Sequence, residues 1–255
     1  MNISFIGSGN VATHLAQAFY ARNHIIKHVW SRNMDHASQL ATRVKAVPID
    51  CLSRLSDDAD VYIIAVSDDA LPEVAKDVQV KGALVMHTSG ATDADVLKGC
   101  SSHYGVLWSP QTFVRTVAME YGELPFCIEG CDNETEVLIA DFAQSVSPHI
   151  YRTNLVQRRC LHLSAVFVNN FPNALYAVAQ QLCSEHDVPF EILYPLAIAT
   201  TKNLQQGDVR LRMTGPAVRR DLKTINAHRE FLSNNKMVLE LYDRLTNLVT
   251  DISNL

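Results

Sequence analysis

The sequence predicts an α/β fold: a doubly wound, mostly parallel sheet followed by an all-α C-terminal domain. Three observations predict it. Through about residue 150, short apolar runs alternate with helical stretches, the pattern of a parallel sheet covered by helices on both faces. One run, Val61-Tyr62-Ile63-Ile64-Ala65-Val66, is apolar without interruption, as a strand buried on both faces must be. From Asn154 the strand pattern stops and long helical periodicity replaces it. The expected division is therefore residues 1–153 and 154–255.

Taken in order, the first element is the strand Ile3-Ser4-Phe5-Ile6, which runs into a glycine turn and a helix through Tyr20. A second strand, Ile25-Ile26-Lys27-His28-Val29-Trp30, follows at the βαβ distance. Then come a brief strand near Ala46-Val47, the buried run at 61–66, and Ala83-Leu84-Val85-Met86. His103-Tyr104-Gly105-Val106-Leu107-Trp108, Pro125-Phe126-Cys127-Ile128 and a short strand near His149-Ile150 complete the sheet. Asp68 or Asp69, past the fourth strand, is expected to cap the next helix rather than to act chemically. In the second half, a helix from Leu155 to His186 contains Pro172 and is expected to kink there. Further helices are expected at about 190–206, 214–229 and 232–252.

The turn after the first strand reads Gly7-Ser8-Gly9-Asn10-Val11-Ala12, the G-x-G-x-x-A form of the dinucleotide fingerprint. Gly7 permits the tight turn, Gly9 lets backbone approach a pyrophosphate, and Ala12 lets the helix pack close on the strand. The helix N-terminus then offers N–H groups and a partial positive charge to phosphate. This makes the first half Rossmann-like, with Gly7, Ser8, Gly9, Asn10 and Val11 holding the dinucleotide. An NAD site ends its second strand in Asp or Glu, which accepts from the ribose 2′-OH. Here Ser31, Arg32 and Asn33 stand in that place and favour a 2′-phosphate, so the expected cofactor is NADP (NADPH). Val66 and Ser67, at the end of the fourth strand, should border it.

After the fifth strand, His87-Thr88-Ser89-Gly90-Ala91 places hydroxyls and a glycine at the carboxyl edge, where the nicotinamide should lie. Thr88 and Ser89 are candidates to bond its carboxamide or a substrate carboxylate; the other reading is a Ser/Thr turn capped at Thr92 or Asp93. Trp108-Ser109-Pro110-Gln111-Thr112-Phe113 forms a further loop at this edge, on the substrate side. On the long helix, His162, Val166, Asn169 or Asn170, and Asn173 recur at three- and four-residue intervals, so His162 and an asparagine share a face. If that face meets a cleft, His162 can give a proton to a carbonyl or imine and Asn170 can orient the substrate; otherwise both are structural. Thr214-Gly215-Pro216-Ala217-Val218-Arg219-Arg220-Asp221 reads as a proline-started helix, with an Arg219–Asp221 ion pair or an anion at its N-terminus.

Composition narrows the function classes. The net charge of −5 argues against general nucleic-acid affinity, although residues 154–255 carry 11 Lys+Arg against 9 Asp+Glu. Arg210, Arg212, Arg219, Arg220, Lys223 and Arg229 concentrate that charge, either for an anionic ligand or as a solvated helix face. Six scattered cysteines lack the spacing of a zinc site and are expected to be reduced thiols. No run reaches membrane-spanning length, and Met1-Asn2 leads straight into the first strand without a signal segment, so a cytoplasmic protein is expected.

Together, the fingerprint, Ser89-Gly90, Gln111-Thr112-Phe113, His162 with Asn170, and Thr214-Gly215-Pro216 with Arg219, Asp221 and His228 resemble a known superfamily. It is that of pyrroline-5-carboxylate reductase and the 6-phosphogluconate dehydrogenase-like proteins, in the branch of NADP oxidoreductases carrying a helical C-terminal domain of unknown function. The resemblance implies a Rossmann domain, a helical domain through which two chains form a homodimer, and NADP binding. The sequence departs from that pattern in Trp108-Ser109-Pro110, where the proline is shifted by one, and in Arg220, where glycine is usual. The lysine that related hydroxyacid dehydrogenases carry on the first long helix is missing, and His162 is the nearest polar residue. The expected function is hydride transfer between NADP and a small carbonyl or imine substrate in the cleft between domains, with His162, Asn170 and Ser89 as catalytic candidates. A dinucleotide-binding sensor or scaffold without turnover is the alternative.

Overall fold

The computed structural model describes residues Met1–Ser253. Eight strands form one sheet in the order β3-β2-β1-β4-β5-β6-β7-β8. β1 (Asn2–Ile6) lies between β2 (Ile25–Trp30) and β4 (Val61–Ile64), parallel to both. β3 (Val47–Ile49) pairs parallel with β2, and β5 (Leu84–His87) and β6 (His103–Trp108) extend the parallel run beyond β4. β7 (Phe126–Gly130) is antiparallel to β6, and β8 (Ile150–Arg152) is parallel to β7. The chain reverses its direction of build-up between β1 and β4. That switch point opens a crevice beyond the carboxyl ends of the strands.

The pleat of β4 explains why its sequence is apolar throughout. Val61 and Ile63 enter the core on one face with Ile3, Phe5, Leu15 and Phe19, while Tyr62 and Ile64 enter the other with Ile6, Leu71 and Val85. α1 (Asn10–Ala21) and α4 (Asn133–Gln144) cover the first face, where Phe19 and Phe142 stack at 4.2 Å between ring centroids. α2 (Met34–Val44) packs there through Ala37, Leu40, Ala41 and Val44. α3 (Leu71–Asp77) covers the second face. The cap expected from Asp68 or Asp69 does not form: Ala70 is the N-cap residue and makes no side-chain cap bond, while the Ser67 carbonyl accepts from the Ala70 and Leu71 N–H groups.

The chain divides into two compact units, Met1–Val168 and the remainder from Asn169. The last strand ends at Arg152, but α5 (Leu155–Ala165) belongs with the sheet. Arg158 is the cause. Its side chain is fully buried, ion-paired with Glu129 on β7, and donates to the Thr92 carbonyl at 2.9 Å. A π-helical turn, Val166–Asn170, leads into α6 (Phe171–Glu185), which has Pro172 in its first turn. Pro172 has no N–H to give to the preceding turn, and a helix tolerates it in its first turn.

The second unit contains α6, α7 (Tyr194–Lys202), α8 (Leu222–Phe231) and α9 (Lys236–Ile252). Arg229 pairs with Asp243 at 2.7 Å, and the ring of His228 bonds the Tyr242 hydroxyl at 2.9 Å, tying α8 to α9. The helix expected over 214–229 begins only at Leu222. Residues 215–220 form turns, Arg220 takes a left-handed φ of 53°, and Asp221 caps α8 through the Thr224 N–H at 3.1 Å. Asp221 therefore serves as a helix cap. Arg210 pairs with Asp208 and Arg229 with Asp243, so part of the basic cluster is neutralised within the chain, while Arg212 bonds the neutral Gln206 side chain. Among the described residues no helix is long and apolar enough to cross a membrane.

Because Arg158 is buried against a carboxylate, Arg158→Ala should cost about 3 kcal/mol. Chemical denaturation reads this directly, and an unchanged midpoint would contradict the structural role given to the pair.

Candidate active site

The glycine turn is built by a close contact. Gly7 has φ 126°, and a Cβ there would lie 2.1 Å from the Ala65 carbonyl oxygen at the end of β4. The Gly7 N–H donates to the Trp30 carbonyl at 2.9 Å, so the turn is held to β2 and crowded against β4 at once. Gly9 is the N-cap residue of α1 and supplies no side-chain cap. A Cβ on Gly9 would meet nothing within 4 Å, so the space beside it is open. The first-turn N–H groups of α1 are thus left for a ligand.

A cleft of about 800 Å³ lies over this turn. Gly7, Ser8, Gly9, Asn10 and Val11 line it from β1 and α1, Ser31 and Arg32 from the end of β2, and Val66, Ser67 and Thr88 from the ends of β4 and β5. Of the residues expected to hold a dinucleotide, Asn33 alone does not line the cleft. Its side-chain oxygen caps α2, accepting from the Asp35 and His36 N–H groups at 2.9 and 3.2 Å. This polar side chain follows the strand at the usual place for a helix cap, and capping claims it.

Beyond β5 the carboxyl edge is fixed by bonds the sequence does not display. His87 is fully buried; its Nδ1 accepts from the Ser89 N–H at 3.1 Å, leaving Nε2–H to donate to the Asp93 carbonyl at 3.3 Å. The Ser89 hydroxyl donates to Thr92 Oγ1 at 2.9 Å and accepts from the Ala91 and Thr92 N–H groups. Ser89 therefore holds the turn together, and Asp93 caps the following 3₁₀ turn through the Asp95 N–H. Arg158 grips this segment at the Thr92 carbonyl, and Arg159 Nε donates to the Ala91 carbonyl at 3.0 Å.

Gly90 leaves room for an aromatic ring: a Cβ there would lie 2.6 Å from the indole of Trp108. The Trp108 ring in turn faces His162, at 6.1 Å between centroids and a 60° tilt. His162 is exposed. Gly90, Trp108 and His162 thus form one continuous group at the ends of β5 and β6. Asn170 is also exposed, as the last residue of the π turn. Phe113 is a core residue, buried against His14, rather than part of a substrate loop.

Three residues went unread in the sequence. Arg115 lines the cleft and donates to the Ser8 carbonyl, and its Nε is buried without a partner among the described residues. Arg158 and His87 hold the β5 edge. Only His87 had a local signal, sitting at a strand end beside a hydroxyl turn. Burial, and after it the Arg158 guanidinium, pushes the His87 pKa down to about 4. The folded protein therefore keeps His87 neutral where the unfolded chain takes up a proton. The stability this contributes is complete above about pH 6.5 and is lost as the pH falls through about 4. The thermal midpoint should fall across that window in the wild type and fall less in His87→Asn, which keeps an acceptor for the Ser89 N–H. Equal falls in both would contradict the assignment.

The cleft fits a dinucleotide with a 2′-phosphate: an uncapped helix N-terminus, an open approach over Gly9, and cationic Arg32 at the end of β2. Residues 2–89 match the family described as NADP oxidoreductase coenzyme F420-dependent, and residues 124–249 match the Domain of unknown function (DUF2520). No protein of curated function matches the chain. Among solved structures, a Bacteroides fragilis protein described as a "putative NADP oxidoreductase" is 33% identical, with a TM-score of 0.91 and 98% of each chain covered. An imine reductase from Myxococcus stipitatus in complex with NADP+ shares the fold at 12% identity and a TM-score of 0.65, covering 98% of this chain and 93% of that one. A 1-pyrroline-5-carboxylate reductase from Streptococcus pyogenes does so at 13% identity and 0.61, covering 98% of each. The chain belongs to the NADP oxidoreductase family in which this Rossmann-like domain is followed by a DUF2520 domain.

Proposed function

We propose that the protein uses NADPH to reduce the C=N or C=O bond of a small molecule. The observation that carries this reading is the arrangement on one sheet edge of an uncapped glycine turn, a cationic end at Arg32, and the Thr88–Gly90, Trp108 and His162 group. The cofactor supplies the hydride from its nicotinamide C4. The backbone of Gly7–Val11 holds the pyrophosphate, and Ser31 and Arg32 hold the 2′-phosphate. Thr88 borders the nicotinamide end, while Ser89 keeps that turn in place. Trp108 closes one side and excludes water. His162 donates the proton that the substrate nitrogen or oxygen needs as its carbon accepts hydride. The imine reading gains support from solved imine reductases that share this fold.

The helical unit supports a homodimer. Neither α6 nor α7 buries a single side chain within the chain, yet both carry large apolar residues, including Phe171, Leu175, Leu196 and Ile198. Sedimentation equilibrium should give twice the chain mass; a monomer at micromolar concentration would overturn the dimer.

Fluorescence titration should show NADPH binding about tenfold or more tighter than NADH, with the difference lost in Arg32→Ala. His162→Ala should reduce turnover of small cyclic imines or carbonyls by roughly 10²-fold while leaving the NADPH dissociation constant unchanged. NADPH binding with no turnover across such a panel would favour a dinucleotide sensor, and binding of neither dinucleotide would end the oxidoreductase reading.

A further inference from the structure

We propose that Arg115 is the second arginine of the cofactor's 2′-phosphate site and a determinant of NADPH over NADH, an assignment that rests on the NADP reading above. Arg115 belongs to the long connection between β6 and β7, which is strapped to α1 on both sides of it. Phe113 is buried in the core, the Val114 carbonyl accepts from His14 Nε2 at 2.9 Å, and the Tyr121 hydroxyl donates to Gln17 Oε1 at 3.1 Å. The arginine is therefore held in place before any ligand arrives, which lowers the ordering cost of binding.

Its guanidinium reaches the glycine turn, where one terminal nitrogen donates to the Ser8 carbonyl. That bond uses one of five N–H donors. The buried Nε has no acceptor among the described residues, an arrangement that costs free energy unless a ligand supplies one. Arg115 lines the main cleft together with Arg32 and His36, and also the narrow recess beside it with His36, Gln39 and Arg43. The cations thus gather on the α2 side of the cleft. The acidic lining residues Asp68, Glu73 and Asp77 stand on the β4–α3 side. A phosphate dianion belongs with the first group. The pyrophosphate is served by backbone N–H groups of the glycine turn, whereas Arg115 shares its surroundings with the α2 residues that follow Arg32.

The test compares NADPH and NADH dissociation constants, by fluorescence, for the wild type, Arg32→Ala, Arg115→Gln and Arg115→Lys. Arg115→Gln keeps a donor for the Ser8 carbonyl. It should weaken NADPH about tenfold or more and NADH less than about twofold, with Arg115→Lys between it and the wild type. Competition by adenosine 2′-monophosphate should weaken in Arg115→Gln, while competition by adenosine 5′-monophosphate should not. Equal weakening of both dinucleotides would overturn the proposal, since it would mean that Arg115 only shapes the turn. An NADPH preference that Arg32→Ala abolishes and Arg115→Gln preserves would overturn this assignment alone. A wild type that binds neither dinucleotide would overturn the NADP reading and this assignment together.

Discussion

The carbonyl of Ala65 stands where any side chain on residue 7 would have to go, at 2.1 Å from the Cβ position. The rest of the site depends on that contact. It fixes how closely the β1–α1 turn approaches the end of β4, and so where the first turn of α1 lies over the switch point of the sheet. A glycine at φ 126° meets both demands, because a side chain would be excluded by space and strained by conformation. The uncapped N-terminus of α1, the open face of Gly9 and the cleft beneath them follow from the same geometry. An alanine at position 7 would push the turn away from β4 and with it the first-turn N–H groups of α1.

At the other end of the cleft, rigidity comes from polar bonds instead of steric exclusion. The segment from His87 to Asp93 spends its side chains on itself: His87 on Ser89 and Asp93, Ser89 on Ala91 and Thr92. Arg158 and Arg159 then bind its carbonyls from α5, and the ion pair with Glu129 keeps the buried Arg158 charge neutralised. These bonds fix the loop at the end of β5. His162 has the opposite environment, exposed beside the Trp108 ring, as the proton donor of the proposed function requires. The division is between groups that hold the edge and groups free to meet a substrate.

Much of this was legible in the sequence because its causes are local. The eight strands were readable from short apolar runs, and the fingerprint from Gly7, Gly9 and Ala12, since turn geometry and close packing each demand a particular small residue. Long-range contacts left no such trace. Arg115 meets Ser8 across 107 positions, and Arg158 looks like any exposed helical arginine until β7 brings Glu129 to it. Competing local rules explain the rest. Pro216 suits the start of a helix, yet Arg220 turns left-handed and Asp221 caps the helix further on. Asn33 has donors for a 2′-phosphate, but its side chain is taken by the α2 cap instead.

The central claim is that this sheet edge holds NADPH in one orientation, phosphates over the α1 turn and nicotinamide against the β5 edge. A crystal structure of the full chain with NADPH tests it most directly. The account predicts the 2′-phosphate within hydrogen-bond reach of Arg32, the pyrophosphate over Gly9, and the nicotinamide beside Thr88 and Gly90. A dinucleotide bound in the reverse orientation, or outside the cleft, would contradict it.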